Sequence, residues 1–293
     1  MDLRALECFA AVADEGSFSR AADRLGIAQP SVSQQVGKLE RELLTSLFER
    51  SSRGVSLTPS GRSLLPSARR ALNAVEDLRN AADERAGRLT GGLNLGVVDG
   101  LEVTAFPAAM GVVRQRHPFL ELRLRDGTSG VLLKKLMDRS LDAVVIAEPP
   151  RALPHYLGTR LLLEEDLVVV RPASSGEHST GPLRLTDVSA ELTVSYPSES
   201  GIGALIADAA RRTGAELHFP YTTNDASLHV ALALAGLGAA LTVGSAETYE
   251  AARGARVLPL DPPIRLRKLL VWISEPRPSR AVRELVAAFD AVA

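Results

Sequence analysis

Leu3, Leu6, Phe9, Ala10 and Ala13 recur at helical spacing and predict an amphipathic first helix. Gly16-Ser17 interrupts it, and Ser17 can cap a second helix from about Phe18 to Leu25, ended by Gly26. After the turn Ile27-Ala28-Gln29, Pro30 suits the first helical position, where its missing N–H costs nothing. The third helix carries Val32, Val36, Leu39 and Leu43 on one face and Ser31, Ser33, Gln34, Gln35, Lys38 and Arg41 on the other. Arg53 to Thr58 alternates as a short hairpin would. From Pro59 or Ser60 a long helix is predicted to about Arg88. Leu64, Ala68, Ala71, Val75, Leu78 and Ala82 form a heptad-type seam along it, with Leu65 and Leu72 beside the seam. Such a seam is either a dimerising face, the favoured reading, or a face packed onto its own chain. Gly87, Gly91 and Gly92 mark a hinge.

Beyond the hinge, strands and helices alternate. Strands are predicted at Leu93–Val98, Leu120–Arg125, Leu141–Ala147, Leu161–Val170, Leu192–Tyr196, Leu217–Tyr221, Ala239–Val243 and Leu269–Ile273. Helices are predicted at Thr104–Arg116, Ser129–Arg139, Ile202–Arg212, Ser227–Ala235 and Arg280–Ala291. This alternation predicts parallel sheets covered by helices. Two such sets joined by long crossing strands imply paired lobes with a ligand cleft at the strand ends.

Length and charge narrow the function. The 293 residues amount to two domains at roughly 150 residues each. Hydrophobic residues at 45% and charged ones at 24% exclude a disordered chain. The net charge of -1 gives no global field for nucleic acid, so any such contact must be local. A local patch exists: Arg50, Arg53, Arg62, Arg69 and Arg70 fall in residues 50–70 with no acidic residue among them. The lone Cys8 excludes an intrachain disulfide and a multi-cysteine metal site. Glu7, Asp14 and Glu15 near the start argue against a secretory signal, and no run nears the roughly 20 apolar residues of a membrane span. The expectation is a soluble cytoplasmic protein that makes no use of a membrane.

Two short helices joined by a glycine-containing turn, the second polar on its outer face, describe a helix-turn-helix. Gln and Ser can hydrogen-bond base edges, while Lys38 and Arg41 can reach phosphates or guanine. A basic hairpin beside that helix is the footprint of phosphate clamping.

Phe18-Ser19-Arg20-Ala21-Ala22-Asp23-Arg24-Leu25, Gln29-Pro30-Ser31-Val32-Ser33-Gln34-Gln35, Leu47-Phe48-Glu49-Arg50 and Leu57-Thr58-Pro59-Ser60-Gly61 together resemble the LysR-type transcriptional regulators. Gly130, Leu141-Asp142 and Gly236-Leu237-Gly238 extend the likeness over essentially the whole chain. The resemblance implies an α/β chain with three parts: a winged helix-turn-helix over 1–58, a dimerising linker helix over 59–90, and a two-lobed effector domain over 91–293 like periplasmic binding proteins. Lobe I would take about 91–161 and 267–293, and lobe II about 162–266. It further implies double-stranded DNA, RNA polymerase and a small-molecule effector as partners, with homodimers paired into homotetramers. No cofactor, metal or catalytic residue is expected.

Carried over by position, the DNA-contacting residues are Gln29, Pro30, Ser31, Ser33, Gln34 and Lys38, with Arg50 and Arg53 near the wing. Gln34 stands where relatives often have arginine, and Leu44-Thr45 where glycine is common, so the turn before the wing is expected to differ slightly. The dimerising set is Leu64, Ala68, Ala71, Leu72, Val75 and Leu78; the effector set is Asp99, Gly100, Thr128, Ser129, Ser198, Ser200 and Asn224. N–H groups at helix starts with Ser and Thr hydroxyls suit an anion, although each such residue can equally be a simple cap. Asp99 and Glu102 would repel a carboxylate, which leaves a cationic or neutral ligand open.

Two other classes are weaker. An enzyme would need a nucleophile, base and orienting partner, and none can be named. Gly127-Thr128-Ser129-Gly130 lacks the spacing of a nucleophile elbow, and no two of the five histidines lie three to five residues apart. A transport-type binding protein would share the lobes but leaves the first ninety residues unexplained.

Overall fold

The computed structural model of the chain describes residues 2–51, 54–84, 89–98, 103–172, 181–275 and 277–292. They form two compact units. One runs to Gly92 and includes 119–121 and 137–140; the other comprises 93–118, 122–136 and 141–293.

In the first unit, α1 (Leu3–Glu15) is capped by Asp2, whose carboxylate accepts the Arg4 N–H at 3.1 Å. Ser17 caps α2 (Phe18–Leu25) through the Arg20 N–H, and Gly26 ends it. A tight turn leads into α3 (Gln29–Leu43), which has proline in its first turn. The wing is an antiparallel pair, β1 (Phe48–Ser51) with β2 (Gly54–Leu57), so its first strand lies upstream of the alternation at 53–58. Phe48 joins the layers, meeting Phe9 at 5.5 Å and Phe18 at 5.7 Å, both edge-on.

Thr58 turns the wing into α4 (Pro59–Glu84): its hydroxyl donates to the Ser46 carbonyl at 2.7 Å and accepts the Gly61 N–H at 2.9 Å. Only glycine fits at 61, since a Cβ there would sit 2.2 Å from the Leu47 carbonyl oxygen. The seam of α4 has two fates. Leu65 and Ala68 are buried, and Leu64 and Leu72 pack with them against Ala5, Leu6, Phe9, Leu39 and Leu47. Ala71 and Leu78 are exposed and Val75 is half-buried. Periodicity alone treats all eight positions alike, but the first turns of the helix have the winged domain to lie on.

After α4 the chain forms β3 (Gly92–Val98), α5 (Ala105–Arg116), β4 (Glu121–Gly127), α6 (Ser129–Met137), β5 (Ala143–Ala147) and the long β6 (Leu157–Pro172), nearly all of it in the second unit. Then come α7 (Leu185–Val188), β7 (Leu192–Ser195), α8 (Gly201–Thr213), β8 (Tyr221–Thr222), α9 (Ala226–Leu234) and β9 (Ala239–Val243). The chain closes with α10 (Ala246–Ala251), β10 (Ala255–Pro259), β11 (Arg265–Ile273) and α11 (Arg280–Val292). Strand order is β4-β3-β5-β11-β6-β9-β7-β8, with β10 also on β6.

The sheet is mixed, which corrects the expectation of parallel sheets. β3 with β5, β7 with β8 and β7 with β9 are parallel, but β11 runs antiparallel to β5 and β6, and β6 antiparallel to β9 and β10. The two crossing strands cause this. β6 pairs with β11 over its first part and with β9 and β10 over its last, passing from one lobe's sheet into the other's. A second correction concerns Leu217–Tyr221, where only Tyr221 and Thr222 join a ladder. Pro220 has no N–H to give, and Leu217 and Phe219 pack instead against the core of lobe II.

Candidate nucleic-acid interface and ligand cleft

Burial sorts α3 into two faces. Val32, Val36 and Leu39 are buried, whereas Gln29, Pro30, Ser31, Gln34, Lys38 and Arg41 are exposed and Ser33 is half-buried. Six of the eight residues expected to meet DNA thus lie along one solvent-facing side of a single helix. Ala28 precedes that helix and contributes no side-chain cap; in the first turn Pro30 has no N–H, and the Ser31 N–H donates to the Ala28 carbonyl at 3.0 Å. Arg53 lies outside the described residues; Arg50 pairs with Val55 through its backbone, its side chain outside them.

The basic run after α3 does not act as one patch. Arg69 is buried and forms an ion pair with Asp14, which also pairs with Arg24 at 2.9 Å. Arg62 donates to the Leu57 carbonyl at 2.6 Å, bracing the wing. Residue counting gave these arginines the same role as Arg50 and Arg53, because charge along the chain carries no information about what folds back onto it.

In the second unit a narrow cavity of about 20 Å³ opens where the lobes meet. Val98, Thr128 and Ala147 line it from lobe I, and Tyr196, Ser200, Gly201, Ile202 and Asn224 from lobe II. Lys268 on β11, one of the two crossing strands, completes the wall. Thr128, Ser200 and Asn224 of the expected effector set therefore come together, while Asp99 and Gly100 lie outside the described residues. Ser129 is buried beside the cavity, and its hydroxyl accepts the Ala147 N–H at 3.2 Å. Ser198 faces a separate, wider groove along α8. The Ser200 hydroxyl is used as the α8 cap, accepting the Gly203 N–H at 2.9 Å.

Behind Tyr196 stands a buried polar network. His229 places Nε2 3.0 Å from the Thr223 carbonyl oxygen and Nδ1 3.0 Å from the Thr242 hydroxyl. A carbonyl only accepts, so Nε2 carries the proton and Nδ1 accepts from Thr242. Tyr196 stacks edge-on with the imidazole at 4.6 Å and reaches Thr242 at 3.3 Å. Burial pushes the His229 pKa down, opposed in part by its hydrogen bonds to the Thr223 and Ser195 backbone and by the Asp225 charge. Sequence reasoning missed Tyr196, His229 and Lys268. In the sequence Lys268 gives only a weak signal, the charged pair Arg267-Lys268 between Leu266 and Leu269.

Residues 3–62 match the model for the bacterial regulatory helix-turn-helix protein, lysR family, and residues 86–293 match that for the LysR substrate binding domain. The chain belongs to the LysR family of transcriptional regulators. The HTH-type transcriptional regulator IlvR of Caulobacter vibrioides is 35% identical over 276 residues, covering 93% of this chain and 92% of its own. A full-length OxyR variant from Pseudomonas aeruginosa superposes with a TM-score of 0.77 at 24% identity, covering 100% of this chain and 96% of the other. Full-length CbnR in complex with its target DNA superposes at 0.59 with 20% identity, covering 100% of both chains. At those identities the two structures speak for the fold. This LysR-type protein is thus a DNA-binding transcriptional regulator with an effector-binding domain.

Proposed function

We propose that this LysR-type regulator reads its operator with Gln29, Pro30, Ser31, Ser33 and Gln34 on the solvent face of α3, while Lys38 on the same helix and Arg50 and Arg53 near the wing hold phosphates. The observation that carries this reading is the division of α3 between buried Val32, Val36 and Leu39 and exposed Gln34 and Lys38. Gln34 suits adenine, or a phosphate, better than guanine. The chain divides at 58 and 90 into winged domain, linker helix and effector domain. Ala71, Val75 and Leu78, the part of the α4 seam that the winged domain leaves uncovered, form the dimer contact. A helix-turn-helix reading paired half-sites favours this dimer, and dimers pair into a homotetramer, as the likeness to LysR-type regulators implies.

The effector enters the cavity between the lobes, touching Thr128, Ser200 and Asn224. Its binding biases an equilibrium between lobe arrangements and thereby alters DNA bending or contact with RNA polymerase. The only cysteine, Cys8, is buried in α1, so residues 86–293 contain no thiol to oxidise and the signal is ligand binding. The protein works in the cytoplasm and catalyses no reaction. No helix among the described residues is long and apolar enough to cross a membrane.

A gel-shift assay with DNA upstream of the protein's own gene tests the reading. Retarded bands at low salt that survive excess unrelated DNA are expected. Absence of binding at low salt, with a metabolite still bound by the same chain, would overturn it.

A further inference from the structure

We infer that Arg69 is an intrachain joint through which the end of α6 holds α1 and α2 of the winged domain, and that a shift of α6 opens it. This rests on reading the cavity as the effector site, and it names the route by which occupancy there reaches the reading head. Arg69 lies on α4 with its side chain only 8% exposed. Its Nη2 donates to the Asp14 carboxylate. Its Nη1 donates to Asp138, at 2.6 Å to the carboxylate and 3.1 Å to the carbonyl oxygen. Asp14 also accepts from Arg24 of α2 at 2.9 Å, so two arginines and two aspartates balance in charge. Taking one partner from a buried pair normally strands the other charge. Here Arg69 keeps Asp14 when Asp138 leaves, and Asp138 keeps the Ser140 N–H and hydroxyl at 3.2 and 2.8 Å. The contact is therefore one that can alternate.

α6 is built to carry movement to this joint. It begins at Ser129, next to cavity-lining Thr128, and ends at Met137, a length of about 13 Å. Leu132 and Leu136 seat it in the core of lobe I with Leu141, Val144 and Ile146, and close-packed interiors transmit a push rather than absorb it. At its start Gly201 of α8 lies hard against it: a Cβ there would meet the Ser129 hydroxyl at 2.5 Å and the Ala147 Cβ at 2.9 Å. At its far end Arg139 is held in the left-handed region with φ 60°. Outside glycine such a conformation costs energy and persists only where its surroundings impose it. Residues 137–140 belong with the winged domain and α4 in the first unit, whereas α6 as far as Leu136 lies in the second.

On the other side of the joint, Asp14 stands near the end of α1 and Arg24 near the end of α2, just ahead of the turn into α3. With Asp138 released, the only carboxylate left on Arg69 is Asp14, within the winged domain itself. The helices that carry the reading face are then less restrained, and more freedom is lost when DNA orders them. Opening the joint therefore weakens DNA binding.

The test uses the full chain and no effector. Gly201→Ala supplies the push, because its Cβ must displace Ser129 or Ala147. Hydrogen exchange is followed in α1 and α2, with α11 as reference, and binding of the DNA upstream of the protein's own gene is measured alongside. Gly201→Ala and Asp138→Asn are each expected to speed exchange in α1 and α2 by about threefold or more, to leave α11 unchanged, and to weaken DNA binding. In an Arg69→Met background neither is expected to add anything. Unchanged exchange in α1 and α2 in either variant overturns the joint, and so does DNA binding that does not weaken. A Gly201→Ala effect that persists undiminished in Arg69→Met overturns it too. Should Arg69→Met not fold, Gly201→Ala combined with Asp138→Asn takes its place, and full additivity overturns the proposal. Should Gly201→Ala not fold, Asp138→Asn decides alone: faster exchange confined to α1 and α2 supports the joint, and faster exchange in α11 as well overturns it. Exchange needs neither effector nor DNA, so a cavity that takes up no compound in a separate metabolite screen fails independently of the joint.

Discussion

The carboxylate of Glu40 accepts the backbone N–H of Leu47 at 2.7 Å, and the same oxygen takes the Phe48 N–H at 3.3 Å. Glu40 lies on α3 and Phe48 opens the wing, so one side chain fixes the recognition helix to the strand that flanks it. Removing it leaves two backbone donors of a packed turn without their acceptor. Glu40→Ala is expected to cost about 1–3 kcal/mol, measured by urea unfolding. It is also expected to weaken operator binding by more than this loss of folded protein explains. Glu40→Gln retains an acceptor and should be milder on both counts.

Leu44 ends α3 with φ 51°, in the left-handed region, and its side chain is 92% exposed. The backbone of the turn before the wing is therefore one that a glycine adopts freely. A leucine there is strained and its side chain gains nothing by burial. Leu44→Gly is expected to raise stability by about 0.5–1 kcal/mol, the relief of strain exceeding the extra freedom given to the unfolded chain. A lower urea midpoint for the variant would contradict this account of the turn.

Local pattern made the winged domain legible. The second helix is found over Phe18–Leu25, because its cap, apolar face and terminal glycine all lie within ten residues of sequence. The strand Ala239–Val243 is likewise where its apolar run places it. What long-range pairing decides was not legible. β10 and α10 carry no strong periodicity, and β10 exists because Ala255–Pro259 finds the far end of β6. Arg69 looked like part of a DNA-binding run until α4 laid it against Asp14. Thr128, Ser200 and Asn224 could be proposed from loops and caps. Lys268 and His229 could not, because what matters about them is the wall or network that distant strands build around each.

Gln34 and Lys38 are both exposed on α3, one turn apart, and they should fail in different ways. A base-reading amide contributes differently at the right and wrong base, whereas an ammonium on a phosphate contributes alike everywhere. Gln34→Ala is expected to relax sequence preference, with about 1–3 kcal/mol of discrimination lost at one operator position. Lys38→Ala should weaken all DNA about equally and lower the salt slope by about one. Competition gel shifts across a salt series separate the two. Equal loss of specific and non-specific binding in Gln34→Ala would remove it from the reading face.

The His229 network makes lobe II sensitive to acid. Its imidazole is fully buried, and the Nδ1 that accepts from Thr242 is the atom a proton would occupy. Burial lowers the folded-state pKa below the ordinary value of 6.5, so between the two values the unfolded chain holds more protons than the folded one. The contribution is therefore complete above about pH 6.5 and is lost as pH falls towards the folded-state pKa, by up to about 1.4 kcal/mol per pH unit. His229→Gln removes the titration, and its amide N–H can still reach for the Thr223 carbonyl. Its stability at neutral pH should be lower than that of the parent chain, and its decline on acidification shallower. Urea unfolding at a series of pH values from about 7 to about 5 measures both slopes, and their difference isolates His229 from the remaining titratable groups. Parallel slopes would mean that the buried ring takes up its proton as readily as a free one, and that the hydrogen bonds to Thr242 and Thr223 do not hold it neutral.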